Sequence, residues 1–67
     1  MLDLLFDADR VKALRQRLAL TQRAFAERVG VAQPTVANWE MGNKRPEGSG
    51  TLMRLIELER EAEEAAV

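Results

Sequence analysis

The sequence predicts a compact all-α fold of four to five short helices. Three observations carry that expectation. Apolar residues recur at the i, i+3, i+7 spacing of amphipathic helices. Thr21, Ser49 and Thr51 are good N-caps ahead of such stretches. Gly30 and Gly42 each follow directly on a helical pattern, where a residue able to turn left-handed ends a helix. At 67 residues the chain reads as one small domain, 1–67, with a modest core that association would help to stabilise.

Residues 1–8 form a short arm, and Leu2, Leu4, Leu5 and Phe6 make it apolar enough that part of it should pack. Helix 1 is expected from about Ala8 to Leu18, with Asp7 or Asp9 at its start and Val11, Leu14 and Leu18 on its buried stripe. Helix 2 follows Thr21, whose hydroxyl can accept an orphan backbone N–H. Leu20 and Phe25 flank that cap as a hydrophobic staple, and Phe25, Ala26 and Val29 face inward. Helix 3 opens at Gln33 or Pro34, since proline suits a first turn that needs no N–H. Val36 and Trp39 face in, while Thr35, Ala37 and Asn38 face out. Asn43-Lys44-Arg45-Pro46 is a polar loop, residues 47–50 a flexible linker, and 51–66 a last helix buried through Leu52, Leu55, Ile56 and Leu58. Its acidic, alanine-rich end has high helix propensity and little to bury, so it is expected to fray or await a partner.

The net charge of −1 conceals a division. Residues 1–9 carry −3, residues 10–46 carry +6, and residues 47–67 carry −4. A basic middle between acidic ends suits a chain that holds phosphates at its centre; solvated helix faces would look the same. There is no cysteine and no histidine. Disulfide and thiol chemistry are therefore excluded, and a zinc site would need carboxylates alone. With no nucleophile–base constellation, an enzyme is not expected, nor is a cofactor. No apolar run reaches the roughly 18–20 residues of a membrane span, and the acidic start lacks the positive end of a signal peptide. A cytoplasmic location is expected.

Residues 18–46, LALTQRAFAERVGVAQPTVANWEMGNKRP, gather these signals into two helices meeting at a glycine. The pattern L-T-Q-x-x-F-A-x-x-V-G-V at 20–31, Q-P-T-V-x-N-W-E-x-G at 33–42 and K-R-P at 44–46 resembles the helix-turn-helix, 21–41, of the lambda-repressor-like (Cro/CI, XRE) family. With helix 1 the likeness covers about 40 residues. RVKALRQRL, NWEMGNKRPEG and LMRLIE are especially similar to HigA-type antitoxins, DNA-binding partners of RelE/HigB-like toxins.

The resemblance implies a DNA-binding repressor, bacterial or phage, with helix 3 in the major groove of a palindromic operator. Gln22 and Arg23 would hold a phosphate at the start of helix 2. Gln33 and Asn38 suit a bidentate pair with adenine. Pro34 and Ala37 suit a thymine methyl, and Thr35 a phosphate. Asn43, Lys44 and Arg45 would grip the backbone without reading sequence. Arg15 and Glu40 match a family pair joining helix 1 to the end of helix 3. Leu52, Leu55 and Ile56 would meet a symmetry mate in an isologous homodimer.

Four departures stand out. Ala19 occupies a turn position usually held by glycine, where a left-handed alanine costs about 1 kcal/mol. Ala32 replaces the common Ser or Thr before helix 3, which would move the cap to Gln33. Gly48-Ser49-Gly50 argues against the fourth helix of longer relatives. HigA-type relatives often carry a longer toxin-binding arm than residues 1–8. The competing expectation is a protein-interaction module whose acidic tail or apolar arm neutralises a basic toxin.

Overall fold

The computed structural model describes residues 6–65 and contains four helices among them. They are α1 (Ala8–Arg17), α2 (Gln22–Val29), α3 (Gln33–Met41) and α4 (Ser49–Ala65). Leu2, Leu4 and Leu5 of the arm, and residue 66 of the expected last helix, lie outside the described residues.

Helix starts follow local chemistry. The Asp7 carboxylate accepts from the Arg10 N–H at 2.8 Å and caps α1, and the Thr21 hydroxyl accepts from the Ala24 N–H at 3.1 Å and caps α2. At α3 the cap stays at Ala32, which has extended backbone and no side chain able to accept an N–H. Gln33 is therefore the first helical residue and not the cap, and Pro34 follows in the first turn, where its missing N–H costs nothing.

Helix ends are set by glycine. Gly30 (φ 89°) and Gly42 (φ 81°) take the left-handed conformation. Gly30 and Val31 N–H both donate to the Ala26 carbonyl, and Asn43 N–H donates to that of Asn38, which satisfies carbonyls the helices leave open. The α1–α2 turn uses Ala19 instead, at φ 57°, the one positive-φ residue other than glycine among those described.

The core is one cluster. Phe6, Val11, Leu14, Phe25, Ala26, Val29, Val36, Trp39, Leu55, Leu58 and Ala62 are buried, with Leu18, Leu20, Val31, Leu52 and Ile56 packed against them. α3 packs chiefly on α2 and then on α1, and α4 covers the other side of α1 and α2. Phe6 bears out the expectation that part of the arm packs.

Two expectations fail in α4. The helix begins at Ser49, so Ser49 and Gly50 are helical and the linker is shorter than 47–50. The acidic end is also engaged within the subunit. Ala62 is buried, Glu59 accepts from Arg10 Nε and Nη2, each at 2.8 Å, and Glu61 pairs with Arg28 of α2. These ties run back to α1 and α2, and the helix continues regular to Ala65 rather than fraying. Among the described residues no helix is long and apolar enough to cross a membrane.

Candidate nucleic-acid interface

The helix-turn-helix is locked by one carboxylate. Glu40, near the end of α3, accepts from Arg15 Nε at 2.6 Å and from Arg15 Nη2 at 3.1 Å. It also accepts from Gln22 Nε2, at the start of α2, at 3.2 Å. Arg15 Nη1 donates to the Leu20 carbonyl at 3.0 Å, which ties the same guanidinium to the α1–α2 turn. Three helices and a turn thus converge on two side chains that are 17% and 6% exposed. Burial pushes the Glu40 carboxyl up, but hydrogen bonds from Arg15 and Gln22, and the charges of Arg15 and Lys12, outweigh it and hold Glu40 below the ordinary carboxylate value. The Glu40 hydrogen bond holds Arg15 above its own ordinary value.

This lock fixes which face of α3 is offered to solvent. Val36 and Trp39 are buried, and Gln33 and Pro34 are exposed at its start. Thr35, Ala37 and Asn38 are half-buried. Thr35 also donates its backbone N–H to the Ala32 carbonyl at 3.0 Å. Asn38 does double duty at the helix end: its backbone carbonyl accepts from Asn43 at 3.0 Å, and its side-chain oxygen accepts from Asn43 Nδ2 at 3.4 Å. Asn43 is therefore part of the α3 stop as well as of the loop.

Charge surrounds this face. Arg23, the second residue of α2, is exposed beside Gln22, and Lys44 and Arg45 are exposed just beyond α3. The loop is held by Pro46, which is buried. Basic side chains at the N-terminus of one helix and after the end of the next are a suitable setting for an anionic backbone.

One expected contact is corrected. Leu55 is 0% exposed inside the subunit's own core, so it cannot meet a symmetry mate. Leu52 and Ile56 are half-buried against that core and keep only an outer edge. The sequence reading missed Met41, which is 65% exposed at the end of α3. Its spacing from Pro34 and Ala37, i, i+3, i+7, was the available signal.

Among the described residues no group of His, Cys, Asp or Glu could hold a metal ion. No curated protein matches the chain. The helix-turn-helix family model matches residues 11–59, from α1 well into α4. The motif, its glycine-stopped helices and that match agree, and the chain belongs to the XRE-like helix-turn-helix family of DNA-binding domains.

Proposed function

We propose that this protein is a sequence-specific transcriptional repressor that binds a palindromic operator as a homodimer and regulates its own gene. The observation that carries the reading is the Arg15–Glu40–Gln22 network. It holds α2 and α3 at one angle, so that Gln33 and Asn38 reach base edges while Gln22, Arg23, Lys44 and Arg45 meet phosphates on either side. Gln22 has a double role here: one hydrogen of its amide nitrogen goes to Glu40, and the second is available to a phosphate oxygen. Helix α3 would lie in the major groove, where a carboxamide can pair with N6 and N7 of adenine.

The test is a gel-shift titration on the protein's own upstream DNA beside scrambled DNA, at near-physiological salt. Tight binding with a large preference for the upstream DNA is expected. Gln33→Ala and Asn38→Ala should each cost about 1–3 kcal/mol and relax preference at one base position. Unchanged affinity and preference in both variants would show that the face of α3 carrying Gln33 and Asn38 does not read the DNA.

A HigA-type antitoxin would share this DNA-binding half and add a toxin-binding surface. The acidic end of α4 was the natural candidate for that surface. Glu59 and Glu61 pair with Arg10 and Arg28, while Glu57, Glu63 and Glu64 are exposed on the same helix. The family match supports the DNA-binding half alone, so toxin neutralisation stands second, and pull-down with a basic RelE-like protein would raise it.

A further inference from the structure

We infer that Met41 is a specificity-determining residue that reads the methyl group of a thymine at the edge of each half-site. The inference rests on the DNA-binding reading above and extends it to a residue and a base.

Met41 and Met53 are the large hydrophobics left exposed among the described residues, at 65% and 57%. Met41 stands on α3 itself, and Pro34, Ala37 and Met41 recur at i, i+3 and i+7, so they line one face of the helix. That face is opposite the buried Val36 and Trp39. Glu40, one residue earlier, turns inward to Arg15 and Gln22. Gly42, one residue later, turns the chain left-handed and ends the helix. Met41 is therefore the last side chain on an apolar stripe.

The surroundings decide what covers the stripe. Gln22 is bonded to Glu40, which brings the start of α2, with exposed Arg23, beside the end of α3. Lys44 and Arg45 follow three and four residues after Met41, both exposed. An exposed apolar stripe that runs into a loop carrying the exposed cations Lys44 and Arg45 suits a major groove bounded by phosphates, and it suits an apolar protein surface poorly, because such a surface would strand those charges. Within that groove the C5-methyl of thymine is the apolar feature offered by a base edge. Methionine has no donor, and its flexible thioether adapts to such a group. Gln33 and Asn38 suit adenine, so the half-site is expected to be rich in A and T.

The experiment uses the whole 67-residue chain. A random-sequence duplex library is selected with the wild-type protein, and the enriched duplex is remade with deoxyuridine in place of thymidine, one symmetric pair of positions at a time. Each change removes a methyl and leaves base pairing intact. One substitution should weaken wild type roughly fourfold per half-site, the effect of losing one buried methyl. Met41→Ala should bind the thymidine and deoxyuridine forms of that duplex alike, and Met41→Leu should keep the preference. A thermal melt by circular dichroism is expected to be unchanged in both variants, because the side chain is largely exposed. The inference is overturned if wild type ignores every such replacement, or if Met41→Ala keeps the full thymidine preference at each position. A library that yields no enriched sequence removes the DNA-reading function itself, a different failure from a selected site that Met41 does not read.

Discussion

Ala19 shows how one residue can carry a cost that the surrounding contacts hold in place. Its φ of 57° is left-handed, where a Cβ crowds the backbone. It stays there because both neighbours of the turn are tied down: Ala19 N–H donates to the Gln16 carbonyl at 3.0 Å, Leu20 N–H to that of Arg15 at 3.1 Å, and Arg15 Nη1 back to the Leu20 carbonyl. Ala19→Gly removes the crowding and adds freedom to the unfolded chain, and the two effects oppose each other. The strain is the larger, so the variant should gain roughly 0.5–1 kcal/mol. A urea titration followed by Trp39 fluorescence measures it, and a lower midpoint for Ala19→Gly would refute the strain. The left-handed turn was legible because glycine is usual there in relatives, and a residue type points to a backbone conformation directly. Burial of Leu55 was not legible in the same way. Leu52, Leu55 and Ile56 all belong to one apolar pattern, and only the packing of α4 on α1 and α2 separates the residue that is fully inside from the two at its margin.

At the scale of elements, capping and pairing decide more than propensity. The boundaries of α2 were legible because Thr21 and Gly30 act through their own backbone neighbourhood. The start of α4 and the fate of its tail were not, because Arg10–Glu59 and Arg28–Glu61 join residues far apart in sequence. The Arg15–Glu40 pair is the corresponding long-range tie for the candidate site, and it was anticipated only through family likeness. Its energetic weight can be measured through pH. Glu40 is held below its ordinary value in the folded protein, so its contribution to stability is fully present above the unfolded carboxylate value and is lost as pH falls through the folded one. Glu40→Gln leaves the Arg15 guanidinium without its carboxylate and should cost about 1.5–3 kcal/mol near neutral pH. The gap between wild type and Glu40→Gln in urea midpoint should narrow as the medium is made acid. A gap that is constant from about pH 7 to about pH 3 would mean that ionised Glu40 adds nothing to folding.

For the whole molecule the question is how two copies would face one operator. The longest extent of the fold is 32 Å, close to the roughly 34 Å between half-sites one helical turn apart. On the proposed reading, two copies side by side have a size compatible with half-sites on successive major grooves. With Leu55 inside the core, the surface left for such pairing on α4 is the outer edge of Leu52 and Ile56 together with the exposed Met53. These three lie within the first two turns of α4, and the patch is small, so the free protein should pair weakly and the operator should draw the second copy in. Met53→Glu puts a charge on each side of an isologous contact, where the two copies repel. It should shift sedimentation toward the monomer and turn steep, cooperative operator binding into shallow occupation of separate half-sites, while leaving the melting temperature near that of wild type. Leu55→Ala should do the opposite, costing about 2–5 kcal/mol of stability by emptying the core. If Met53→Glu binds the palindrome as steeply as wild type, the pairing surface lies elsewhere than this edge of α4.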